Sequence, residues 1–173
     1  MTGPGAPLSE PVGLNQVGAG LTRLIEPDAA ARARIARSLD LAALDLLSVE
    51  MTVAPASTGW RLTGRIRAEA VQTCGITLEP LPVSIDDRFS ITLAETVDEE
   101  SEEIVIPVDD ESPDLVEDGR IDLGQYAVEQ LALRLDPFPR KPGAEFVQPP
   151  EPAEISPFAV LRRLKTEDGS GEG

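Results

Sequence analysis

The chain contains no histidine, and that absence excludes more chemistry than any motif it carries. Without imidazole there is no Ser-His-Asp or Cys-His nucleophile and no histidine-ligated metal. Cysteine is almost missing too: Cys74 alone cannot close an intramolecular disulfide or build a multi-thiolate zinc site. Aromatic residues make up 3% of the chain, so its core must rest on Leu, Ile, Val and Ala. No apolar run approaches the roughly 18–20 residues of a membrane span. Met1 to Glu10 lacks the basic region and apolar stretch of a secretory signal. These absences predict a soluble, intracellular protein without a membrane partner; a cytoplasmic location and no DNA partner are expected as well. Bases are also scarce, 15 against 31 acids, leaving a net charge of −16 that repels polyanions at long range.

What is present suits one folded domain. The chain has 173 residues, 41% of them apolar, and its 16 prolines and 14 glycines predict long loops around a modest centre. The Pro/Gly-rich residues 1–11 read as a disordered tail, 12–165 as the domain and 166–173 as a second tail. A short strand is expected near Gly20–Ile25. Pro27-Asp28 then opens a helix over 28–38, with Ala31, Ile35 and Leu39 on one face. Leu46–Ala54 reads as a strand and 55–59 as a turn. In Trp60–Val71 the residues Trp60, Leu62, Ile66, Ala68 and Ala70 point one way, while Arg61, Thr63, Arg65, Arg67 and Glu69 point the other. Val83, Ile85, Phe89, Ile91 and Leu93 continue an odd-numbered pattern in a third strand, which Asp87 interrupts, predicting a bulge or bend.

From Asp86 to Asp122 there are fifteen acids and two bases, a net of −13. Within that stretch 98–118 reads as acidic loops around a short edge strand, Ile104-Val105-Ile106. A helix over 122–135 is signposted by Asp122 as N-cap, Gln125 three residues on, and Ile121 with Tyr126 as a hydrophobic staple. Seven prolines make 136–157 an extended connector. Ser156 and Pro157 open a last short helix with Phe158, Leu161 and Leu164 on its apolar face. The expected fold class is α+β, a single domain with an antiparallel sheet of about four to six strands and three helices, near 28–38, 122–135 and 156–165.

Three landmarks carry a resemblance. The segment Gly64-Arg65-Ile66-Arg67-Ala68 to Cys74-Gly75-Ile76-Thr77-Leu78-Glu79-Pro80 resembles the centre of the YceD-like family, where it often reads Cys-x-Arg-Cys-Leu-Glu-Pro. Ile121-Asp122-Leu123-Gly124 running to Glu129-Gln130-Leu131 is similar to that family's "ID-L … E-Q-L" helix. Ser156-Pro157-Phe158 to Leu161 is similar to its closing "PF-x-x-L" helix. The resemblance implies a bacterial or plastid protein that supports accumulation of 23S ribosomal RNA without known catalysis. Its implied partner is a large-subunit precursor, through 23S rRNA, a basic ribosomal protein, or both. Some relatives carry further cysteines, but here Thr77 stands at the second position and residues 136–143 hold no thiol. A zinc site is therefore not carried over, and no cofactor is expected.

Each candidate residue has two readings. Cys74 is a reactive or vestigial ligand thiol, or a small packed residue in a turn. Arg61, Arg65 and Arg67 fork onto phosphates, or pair with nearby acids. Arg140 and Lys141 form a small basic spot for RNA or protein, or belong to a packed connector. Asp98, Glu99, Glu100, Glu102 and Glu103 hold a basic partner in a chaperone-like way, or are a solvated loop. The pairs Asp86/Asp87 and Asp109/Asp110 leave open a Mg²⁺-dependent hydrolase acting on rRNA, or serve as solvent-facing charge.

Overall fold

A computed structural model describes residues 6–57, 59–95, 113–116 and 118–146. The chain divides into two compact units, 1–143 and 144–173. Every described helix and strand lies in the first, and of the second only 144–146 are described. The predicted edge strand at 104–106, the acidic residues 98–103 and the helix at 156–165 with Pro157 and Phe158 lie outside the described residues.

Three long strands dominate. β3 (Ala43–Ala56) and β4 (Gly59–Thr73) form a hairpin in which Val53 pairs with Leu62 and Val49 with Ile66. β5 (Pro80–Glu95) returns along β4 in one unbroken register from Thr73↔Pro80 to Trp60↔Leu93. β2 (Leu21–Ile25) pairs with β3 on one side, and β6 (Asp114–Val116) joins β5 on the other, giving the order β2-β3-β4-β5-β6. The β5–β6 pairing is parallel, which corrects the expectation of a purely antiparallel sheet. Separately, β1 (Pro11–Gly13) pairs antiparallel with β7 (Arg120–Asp122) in a two-stranded sheet.

Alternation puts one side of each long strand into a single core. Val49, Met51 and Val53 of β3, Leu62 and Ile66 of β4 and Leu93 of β5 are fully buried. Helix α1 (Ala29–Ser38) adds Ile35; the Asp28 carboxylate caps it by accepting from Ala31 N at 2.7 Å. Helix α2 (Leu123–Ala132) adds Leu123, Ala127 and Leu131. Emptying any of these large aliphatic positions to alanine costs about 2–5 kcal/mol. Two α-helices are thus present among the described residues, where three were expected for the whole chain. The second ends at Ala132, a turn earlier than read, and tightens through Arg134 N and Leu135 N bonding Leu131 O and Ala132 O.

Two further expectations are overturned. The sheet has no bulge at Asp87; its register shift lies instead between Leu44 and Leu46 of β3. Asp87 faces the core side as alternation demands, and it is made tolerable there by Arg134, whose Nε donates to it at 2.8 Å. The Arg134 head also donates to Gln130 O and Oε1 and to Arg88 O, and sits 5.7 Å over the Phe89 ring. Phe89 in turn covers Gly64, where a Cβ would fall 2.5 Å from the ring and 2.8 Å from Glu50 O. Only glycine lets the ring lie flat on that strand.

The second correction concerns residues 8–11, which were expected in a tail. The Asp122 carboxylate accepts from Ser9 Oγ (2.6 Å) and Glu10 N (2.7 Å). Its Oδ1 also accepts from Gly124 N (2.9 Å) and Gln125 N (3.2 Å) as the N-cap of α2. Leu123 N donates to Glu10 O at 3.0 Å. One side chain therefore starts a helix and clamps the N-terminal segment onto it.

Candidate functional site

The helices cover one side of the sheet, and no described element covers the other. On that outer face strand pairing aligns side chains into rows: Ala54–Arg61–Thr92, Thr52–Thr63–Ser90, Glu50–Arg65–Arg88 and Ser48–Arg67–Asp86. The predicted trio Arg61, Arg65 and Arg67 is therefore brought together, all exposed, and Arg88 joins it. The even numbering of Arg88, opposite to the odd-numbered core residues of β5, was the signal for it. Arg65 is not free: its Nε and a terminal nitrogen bind Asp86 as a fork at 2.7 Å each. That hydrogen bonding raises the Arg65 pKa and holds the Asp86 carboxyl below its ordinary value. Arg61, Arg67 and Arg88 make no salt bridge among the described residues. Glu50, Thr52, Thr63, Arg65, Arg67 and Arg88 border a shallow hollow of about 510 Å³.

The second cluster lies at the far end of β4. Cys74 begins a tight loop that returns the chain into β5 at Pro80, with Leu78 N donating to Cys74 O at 3.0 Å and Cys74 N to Glu79 O at 2.9 Å. Leu78 takes a left-handed φ of 60° and stays 76% exposed, so this motif position contributes conformation rather than core. The segment after α2 packs on the same loop: Gly75 N donates to Pro139 O at 2.9 Å and Lys141 N to Cys74 Sγ at 3.3 Å. Thr77 N reaches the same sulfur at 3.4 Å. Hydrogen bonds from Thr77, Lys141 and Ile76 pull the fully buried thiol down to about 6, against burial that pushes it up.

Lys141 Nζ sits between both Glu79 oxygens at 3.1 and 3.0 Å, and this pairing holds the Glu79 carboxyl below its ordinary value. Gln72, buried, ties β4 to the Asp136 carbonyl at 2.8 Å. Arg140 borders a groove of about 480 Å³ with Leu39, Ile76, Leu135 and Phe138. Arg140 and Lys141 thus belong to this loop pair, six or more residues along the strand from the arginine rows. They do not extend that face.

The motif residues Asp122, Leu123 and Glu129 make contacts within the fold. Asp122 is the clamp, Leu123 is fully buried behind it, and Glu129 accepts from Gln125 Nε2 at 2.8 Å across one turn. Asp86 and Asp87 are neighbours in a strand, so their carboxylates point to opposite faces, one to Arg65 and one to Arg134. They cannot share an ion, and among the described residues no group of three or more such ligands could hold a metal. Arg134 and the clamping role of Asp122 were missed in the sequence because their partners lie 47 and 113 residues away. No described helix is long and apolar enough to cross a membrane.

Comparison with curated proteins and with solved structures gave no match. A protein-family model does match, over residues 62–165, and it is described as large ribosomal RNA subunit accumulation protein YceD. That description is of an accumulation factor rather than an enzyme. The match takes in most of β4, all of β5 with the Cys74 loop, and α2 with Asp122, while β3, Arg61 and the Ser9–Glu10 side of the clamp lie outside it. It spans more than half of the sequence, and the chain belongs to the YceD family.

Proposed function

We propose that this protein supports accumulation of 23S rRNA and assembly of the large ribosomal subunit by binding, without turning over a substrate. The observation that carries this reading is the broad outer face of β3–β4–β5, which no described element covers and which sets four arginines among hydroxyls and the carboxylates of Glu50, Glu69 and Asp86, in a chain of the YceD family. Such a face suits contact with a large partner, whereas a small substrate needs a concave pocket. Cytoplasmic residence follows from that role. The test is gradient fractionation of cells producing the protein at native level. Co-migration with large-subunit precursors, and a fall in the 23S to 16S ratio when the protein is removed, are expected. A protein found only among free proteins, with an unchanged ratio on removal, overturns the proposal.

A second reading, an acidic holder for a basic ribosomal protein, is favoured by the groove between β6 and α2. Asp114, Asp118, Asp122 and Glu129 border it, and Tyr126 donates to Asp114 at 3.2 Å within it. Burial, with Asp114 and Glu129 beside it, raises the Tyr126 pKa, so the phenol stays a donor. On this reading affinity for basic large-subunit proteins falls with salt and with removal of 98–103. Salt-independent binding that survives the deletion overturns it.

A further inference from the structure

We infer that the outer face of β3–β4–β5 takes the sugar–phosphate backbone of double-helical RNA rather than unpaired bases. The inference deepens the proposed function and rests on it. Unpaired bases are held by stacking on aromatic side chains. The three strands contain two aromatic residues, Trp60 and Phe89, and both are turned to the core side and packed there. The outer face presents instead Arg61, Arg67 and Arg88, without salt bridges among the described residues, beside the hydroxyls of Ser90 and Thr92, while those of Thr52 and Thr63 already bond Thr22 Oγ1 and Thr52 O. Guanidinium groups fork onto phosphate, and hydroxyls donate to phosphate oxygens and bond ribose 2′-hydroxyls, which is how duplex RNA is read. Arg65 is held in place by Asp86, so it braces the row rather than reaching out.

A protein partner fits this face less well. Of the exposed large apolar residues on the sheet, Leu46 pairs with Glu69, and Leu24 of β2 and Leu115 of β6 lie on its two edge strands, so the centre offers no apolar anchor. Glu50, Glu69 and Asp86 on the same face, and the net charge of −16, keep the attraction short in range. Screening over about 8 Å at physiological salt lets the local arginines act despite the distant acids.

The test uses the full chain and a triple variant, Arg61→Ala/Arg67→Ala/Arg88→Ala, which leaves the Arg65–Asp86 fork intact. Its urea midpoint, unchanged from the parent, shows that it folds. Anisotropy is measured with a labelled 20-base-pair RNA duplex and with one of its strands, at 50 and 200 mM salt. Duplex is expected to bind more tightly than single strand, and the triple variant to weaken duplex binding at least tenfold. The parent slope of log affinity against log salt should be near −3, as about 0.9 per phosphate predicts for three arginines. Equal or tighter binding of the single strand, an unweakened triple variant, or no binding to either RNA overturns the inference. So do in-cell crosslinks from this face that join protein only. Any of these with co-migration retained leaves the assembly proposal standing, whereas loss of co-migration removes that proposal on its own ground.

Discussion

Asp122→Ala tests the clamp that joins the two ends of the described fold. The wild-type carboxylate accepts four hydrogen bonds, two from the first turn of α2 and two from Ser9 and Glu10. Losing an N-cap costs about 1 kcal/mol, within a range of roughly 0.5–2. The other two bonds reach an ionised acceptor but are solvent-exposed, so about 0.5–1 kcal/mol each is appropriate. The total is about 2–3 kcal/mol, or a drop in Tm of roughly 5–10 °C for a chain of this size. Asp122→Asn should behave differently. Three of the four donors use Oδ1, which asparagine keeps, and the amide NH2 placed at the Oδ2 position can donate to Ser9 Oγ. Its loss should be about 1 kcal/mol or less, since asparagine caps as well as aspartate. Urea unfolding at pH 7 measures both. Asparagine as costly as alanine, or alanine costing under about 0.5 kcal/mol, would refute the clamp.

Gly64→Ala pushes a methyl into the Phe89 ring and the Glu50 carbonyl and should cost about 1–3 kcal/mol by urea unfolding; a variant as stable as the parent contradicts that packing. Asp86 and Asp87 lie below their ordinary 3.8, Asp86 mainly through Arg65 and Asp87 through Arg88 N–H and then Arg134. Depressed carboxylates stabilise fully above that ordinary value and lose the contribution as pH falls through the folded one, so the urea midpoint should drop below about pH 4. Arg65→Met and Arg134→Met should flatten that limb, and an unchanged pH profile in both would count against the pairings. The Cys74 thiol, at about 6 against an ordinary 9.0, makes the opposite end of the scale informative. Its contribution is full above pH 9 and shrinks as pH falls from 9 to 6, so Cys74→Ala should lose stability relative to the parent most at high pH. A difference that does not vary over that window sinks the reading.

The long strands were legible because burial on one side enforces a period of two, as in Leu62, Ile66, Ala68 and Ala70. β3 was read too short for a specific reason. Its shift between Leu44 and Leu46 moves the buried set from even to odd numbers, so Leu44 falls out of phase with Leu47, Val49 and Met51. Asp87 misled in the reverse sense, since a charge on the core side suggests broken pairing when its counter-ion is remote in sequence. The arginine trio was visible from alternation alone, whereas the fork that removes Arg65 from it depends on register with Asp86 in β5. β1, β6 and β7 are three residues each, too short to show any period. The Pro/Gly composition of residues 1–11 reads as a tail because nothing local shows that Asp122 holds Ser9 and Glu10.

The pairing of Pro11–Gly13 with Arg120–Asp122 also bears on the order in which the chain matures. At about 5–20 residues per second, the ribosome releases the first segment roughly 5–20 s before its mate exists. Through that interval Val12 and Leu14, both buried in the finished protein, lack their partners Ile121 and Gly119. The meander can zip up as it emerges, but the last seam closes only after synthesis has passed residue 125, so a nascent chain stalled before that point would expose its own N-terminal apolar residues to chaperones.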